Sequence, residues 1–72
     1  MNEYKVDFFW DDEASVWVAS SDEIPLALED GSLDKLMYRV NLAAPELIEM
    51  NNLPKYNSLV FNITQRNKLV YA

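Results

Sequence analysis

At 72 residues with a net charge of −6, no cysteine and no histidine, the chain reads as a single acidic domain with no disulfide or zinc site to reinforce a small core. A chain this short buries only roughly 60% of the surface it exposes when unfolded, so close packing or a partner chain has to supply the remaining stability. Half of its residues are hydrophobic, too many for a disordered chain of this charge, yet no run approaches the ~18 apolar residues of a membrane span, and the opening Met-Asn-Glu-Tyr-Lys lacks a signal-peptide core; a cytoplasmic protein away from membranes is expected.

From Tyr4 the apolar residues alternate, with Tyr4, Val6, Phe8 and Trp10 on one face and Lys5, Asp7 and Phe9 on the other, the period of a half-buried strand. An acidic turn, Asp11-Asp12-Glu13-Ala14, separates it from a second β-like run, Ser15 to Ser20, whose two faces are both apolar: Val16 and Val18 against Trp17 and Ala19. Two registers are therefore open. If Trp10 pairs with Val16, then Val16 and Val18 join the core and Phe9 and Trp17 sit together outside. A one-residue slip puts Trp17 and Ala19 in the core and moves Val16 and Val18 outward. Either way an apolar patch remains on the second face.

Ser21-Asp22-Glu23 reads as a turn, and Ile24 to Glu29 as a short third strand with Pro25 at its edge or start. Ser32 is a plausible helix N-cap, with Asp34 in the first turn favourably placed against the helix dipole. Leu33, Leu36, Met37, Val40, Ala44, Leu47 and Ile48 then fall on one helical face. The stripe keeps its phase through Pro45, which leaves one bent helix or two short ones with Pro45 in the first turn of the second. The expectation is a single bent helix, Ser32 to about Asn51, with Pro45, Tyr38 and Leu42 on its outer side. Tyr38 and Leu42 are candidate contact residues there, beside Phe9 and Trp17 on the sheet. Ser58 to Thr64 alternates Leu59, Phe61 and Ile63 with small or polar neighbours as a further strand, and Gln65-Arg66-Asn67-Lys68 can turn the chain into a last short strand, Leu69-Val70-Tyr71. The order β-β-β-α-β, with one optional final strand, describes an α+β domain spanning residues 1–72: a mainly antiparallel sheet with one helix on one face. A single helix leaves the opposite face to be covered by a second copy of the chain or another protein, so a homodimer is one expectation.

Residues 1–34 hold ten acids against Lys5, a balance of −9, whereas residues 35–72 hold Glu46 and Glu49 against Lys35, Arg39, Lys55, Arg66 and Lys68, a balance of +3. Direct nucleic-acid binding through the acidic half is excluded in practice, because phosphate neutralisation needs clustered Lys and Arg. A basic protein partner fits better, and Asp11, Asp12, Glu13, Asp22, Glu23, Glu29 and Asp30 are the candidate contacts. Without histidine, cysteine or a Gly-rich phosphate loop, the common nucleophilic triads, zinc sites and nucleotide motifs are absent. Asp11-Asp12-Glu13, or Asp7 with a strand neighbour, are carboxylates of the type that ligates Mg²⁺, but adjacent acids in an exposed turn are more often simply solvated. No cofactor, no metal and no enzymatic activity are expected. Asn62-Ile63-Thr64 matches the glycosylation triplet, which a chain that is not secreted does not use.

The run Phe9 to Ser21, FWDDEASVWVASS, followed by Asp-Glu-Ile-Pro, resembles small bacterial domains of unknown function grouped with the HicB-like antitoxins, W-D-D-E-A-x-V-W-V-A being its specific part. The similarity continues into Pro45-Glu46-Leu47-Ile48-Glu49-Met50-Asn51, which looks like that group's P-E-L-x-x-x-N ending. The resemblance implies a partial ribonuclease-H-like fold without the nuclease carboxylates, and an antitoxin that inhibits a small basic mRNA-cleaving toxin. Many HicB antitoxins show P-x-L-P-G after the second strand, where this sequence has Ile24-Pro25-Leu26-Ala27-Leu28. They also carry a C-terminal DNA-binding segment for which no room is expected before Ala72.

Overall fold

The computed structural model describes residues 3–55 and 58–64. The elements are β1 (Glu3–Asp11), β2 (Val16–Ser20), β3 (Ala27–Asp30), α1 (Leu33–Met50) and β4 (Ser58–Thr64). The strands form one sheet in the order β3-β2-β1-β4. The first hairpin and the β2–β3 pair are antiparallel, while β4 returns parallel to β1 after the helix. The domain is thus α+β with a mixed sheet and one packed helix. The expected last strand, Leu69-Val70-Tyr71, and the turn before it lie outside the described residues.

The register of the first hairpin is the slipped one. Trp10 stands opposite Trp17 and Phe8 opposite Ala19, so Trp17 lies on the helix side of the sheet and Val16 and Val18 lie with Phe9 on the other. Residues 12–15 make the connection, and Ser15 takes a left-handed conformation (φ 54°). The acidic side chain at the end of β1 holds this loop: Asp11 Oδ1 accepts the backbone N–H groups of Glu13 at 3.1 Å and Ala14 at 3.3 Å, the local bond that makes Asp a turn residue.

β1 is longer than β2, and its excess backbone is satisfied by side chains. Ser21 Oγ donates to the carbonyl of Lys5 at 2.7 Å, and the N–H of Lys5 donates to Glu23 Oε1 at 2.8 Å. Ser21 Oγ also accepts the N–H groups of Glu23 and Ile24, turning the chain inward. β3 begins at Ala27, not at Ile24 as the apolar run suggests. The N–H of Leu26 donates to the carbonyl of Ile24 at 2.7 Å, a three-residue turn about Pro25 that is incompatible with an extended strand. Ile24 and Leu26 are nevertheless buried; the turn aims both side chains at the core.

The helix is a single element running through Pro45. Ser32 caps it, its Oγ accepting the N–H of Lys35 at 3.3 Å, and the predicted stripe is the packed one: Leu36, Val40, Ala44 and Ile48 are buried, with Leu33, Met37 and Leu47 packed beside them. At the other end Asn52 is left-handed (φ 54°), and the N–H groups of Asn52 and Leu53 donate to the carbonyls of Glu49 and Ile48. This is a Schellman arrangement with Asn in the position usually held by Gly, and it returns Leu53 to the core. Tyr4 Oη donates to the carbonyl of Pro54 at 2.6 Å, tying the exit of the helix to β1. The core is the layer between α1 and one sheet face: Tyr4, Val6, Phe8 and Ala19 from the strands against the helical stripe, with Phe61 packed edge-on to Phe8 at a ring-centroid distance of 4.9 Å.

Candidate functional site

The seven candidate acids do not form one patch. The antiparallel pairings place the hairpin loop with Asp11, Asp12 and Glu13 at the same end of the sheet as Asp30, which stands opposite Trp17; Asp22 and Glu23 belong to the β2–β3 connection at the other end. Several have structural work. Asp11 closes the hairpin loop, Glu23 completes the ladder of β1, and Asp12 Oδ1 accepts the indole N–H of Trp10 at 3.1 Å. Asp30 links β3 to the helix. Its Oδ1 accepts the N–H of Ser32 at 2.9 Å and its Oδ2 lies 3.4 Å from Nη1 of Arg39, which also donates to the carbonyl of Glu29 at 2.9 Å. The Ser32 hydrogen bond is the main cause of an Asp30 pKa below the ordinary value; partial burial opposes it, and Arg39 and Lys35 reinforce it.

The candidate apolar residues separate as well. Phe9 is 40% exposed on the sheet face away from the helix, where it pairs with Val18. Trp17 is not beside it, because the slipped register turns it to the helix side, packed on the core and edge-on to Trp10 with centroids 5.6 Å apart. Tyr38 and Leu42 are exposed on the outer side of α1 (66% and 58%), one helical turn apart and far from Phe9 in the fold, with the whole sheet and core between them. An open groove of about 720 Å³ beside the end of α1 is lined by Pro45, Ile48, Glu49, Asn52, Leu53 and Lys55. Among the described residues no three His, Cys, Asp or Glu side chains are grouped to hold a metal ion, and no described helix is long and apolar enough to cross a membrane.

The sequence pattern places Asp7 and Phe9 on the second face and, in the slipped register, Val16 and Val18 as well; what it does not single out is that Asp11, Glu29 and the β4 residues join them. The register places Asp7, Asp11 and Glu29 there together with Phe9, Val16 and Val18, and β4 adds Val60, Asn62 and Thr64. Asn62 Nδ2 donates to Asp7 Oδ1 at 3.2 Å across the parallel pair. The alternation of SLVFNIT carries this signal, since strand neighbours of core residues point away from the core; that they adjoin Asp7 follows only from the pairing of β4 with β1.

A family model described as "Domain of unknown function (DUF1902)" matches residues 3–72. The chain belongs to the DUF1902 family. Its fold is also similar to the crystal structure of hypothetical protein TTHA1013 from the extremely thermophilic bacterium Thermus thermophilus, with 35% sequence identity and a TM-score of 0.76 over 97% of this chain and 100% of that one. No curated protein matches the chain. This DUF1902 domain and its thermophile relative thus correspond along nearly the whole length of both chains.

Proposed function

We propose that this DUF1902 domain is a non-catalytic interaction protein of the HicB-like antitoxin type, which binds and inhibits a small basic RNA-cleaving toxin. The observation that carries the reading is the pairing of a −9 balance over residues 1–34 with a sheet face whose apolar residues have no cover among the described elements. The resemblance of the W-D-D-E-A-x-V-W-V-A run to HicB-like domains supports the same reading. Complementary charge makes association fast and salt-sensitive, which suits an inhibitor of a protein evolved to hold RNA. The test is co-expression with any short basic protein encoded beside the gene. A stoichiometric complex that stops mRNA cleavage is expected; a neighbour that stays unbound and uninhibited refutes the antitoxin role.

A second reading is a homodimerising structural module without a toxin. It is favoured by β4, an edge strand among the described residues, seven residues long with no charged side chain, whereas the opposite edge, β3, is short and carries Glu29 and Asp30. Long uncharged edges invite pairing with another chain. Sedimentation equilibrium of the purified protein distinguishes the two: a monomer at all concentrations removes the module reading.

A further inference from the structure

The second sheet face has a definite layout. Glu29, Val18, Phe9 and Thr64 lie side by side across the four strands; Val16 and Asp11 form the next row towards the hairpin loop, and Ala27, Ser20, Asp7 and Asn62 the row behind. Neighbours across strands are about 5 Å apart and same-face neighbours along a strand about 7 Å, so Phe9, Val16 and Val18 form one contiguous apolar triplet. Glu29, Asp11 and Asp7 bracket it on three sides.

None of these three carboxylates is in an ion pair among the described residues, unlike Asp30, which is paired with Arg39. Asp7 and Asp11 are held in place by neutral donors, the Asn62 amide and the loop N–H groups, which fix their position and leave their charge uncompensated. Lys5 is the one described cation on the face. The layout discriminates between occupants. A second copy laid face to face would bring three carboxylates against three, with Lys5 the single described cation on each face to offset them. A cationic partner converts the same three into pairs across the interface.

The geometry points to this face as the docking surface for a cationic amphipathic helix of a partner protein, its apolar side resting on Phe9, Val16 and Val18 and its Lys or Arg side chains reaching Asp7, Asp11 and Glu29. A helix is the occupant this sheet already accepts on its other face, which α1 covers, whereas an added strand uses an edge. The inference rests on the reading of the chain as a binder of a basic protein, and adds the face and the chemistry of what sits there. It moves the contact away from Asp12, Glu13, Asp22 and Glu23.

The test titrates the full ¹⁵N-labelled chain with a synthetic amphipathic helix of roughly 18 residues, leucines at i, i+3, i+4 and i+7 with Lys and Arg elsewhere. Two control peptides carry Glu in place of every cation or the same residues in scrambled order. Saturable amide shifts centred on positions 7, 9, 11, 16, 18 and 29, with affinity falling as salt rises, are expected for the cationic helix alone. Val18→Asp should weaken binding by about tenfold or more, the effect of placing a charge in an apolar contact. Val18→Thr, which keeps the shape and β-propensity of Val, should weaken it about threefold with the thermal midpoint unchanged, so a folding defect cannot mimic the result. Asp7→Asn and Glu29→Gln should each cost about 1.5- to 5-fold and flatten the salt dependence.

No saturable shift, shifts centred on the hairpin loop or on α1, equal binding of the acidic control, or a dimer that Val18→Asp converts to monomer would each overturn the proposal. The peptide experiment requires no toxin. A toxin that is bound and inhibited while the peptide fails removes this face and leaves the antitoxin reading standing, and the converse removes the antitoxin reading alone.

Discussion

The pairing of Trp10 with Trp17 decides which residues of the hairpin are core and which are free, so its energetics are the sharpest check on the fold. The two indoles meet edge to face, centroids 5.6 Å apart at 65°, and aromatic pairs in this geometry contribute about 0.5–1.5 kcal/mol beyond the area they bury. A double-mutant cycle with Trp10→Ala, Trp17→Leu and both together isolates that contribution. At 0.05–0.15 kcal/mol per residue, a chain of 72 residues has roughly 4–11 kcal/mol of stability in total, so urea unfolding has enough range for both single variants. Independent sites add to within about 0.3–0.5 kcal/mol, and a coupling near 1 kcal/mol stands clear of that. In the alternative register, Trp10 opposite Val16, the indoles project from opposite faces and couple to nothing. A coupling within the additivity limit, with unchanged m-values, would refute the register and with it the assignment of Phe9, Val16 and Val18 to the free face.

Asp30 gives a pH signature. Its pKa is lowered in the folded state, first by the Ser32 N–H and then by Arg39 and Lys35, so its contribution to stability is complete above the unfolded value, roughly 3.9, and is lost as pH falls through the lowered folded value. Asp30→Asn should therefore show a shallower loss of stability than wild type below about pH 4 in acid titration followed by circular dichroism; identical slopes would mean that the Ser32 and Arg39 contacts do not form in solution. Pro45 is exposed within α1 and removes one helical hydrogen bond donor. Pro45→Ala should raise stability by about 2–2.5 kcal/mol, the roughly 3 kcal/mol helix penalty reduced by the roughly 0.4–1 kcal/mol that the extra freedom of the unfolded chain costs. Denaturant unfolding measures it, and a loss of stability would show that the ring makes a contact the helix requires.

The elements that depend on periodicity were legible in the sequence. The alternation in β1 and the seven-residue stripe through Pro45 each point to one buried face, and the Ser32 cap marks the helix start within one residue. The elements that depend on local bonds or distant pairing were not. Both faces of β2 are apolar, so hydrophobicity cannot choose its register; the four-residue loop with Ser15 left-handed does so. Ile24 and Leu26 look like strand residues because they are core residues, but the turn around Pro25 buries them without a strand. The parallel return of β4 beside β1 joins residues more than fifty positions apart, and no local pattern encodes it.

The same distinction explains why the acidity of the N-terminal half was readable and its meaning was not. A count of charges treats Asp11, Glu23 and Asp30 alike, yet Glu23 replaces a missing strand partner, Asp30 holds the helix start and Arg39, and Asp11 closes a loop with no ion pair among the described residues, on the face the helix does not cover. An acid that accepts only from neutral backbone N–H groups retains its long-range field, whereas one paired with Arg loses most of it. In the proposed docking reading, what counts is which carboxylates lack an ion pair and which face they share after folding. By that measure Asp7, Asp11 and Glu29 stand apart from the larger acidic set, because they share a face with the apolar residues that the helix leaves uncovered.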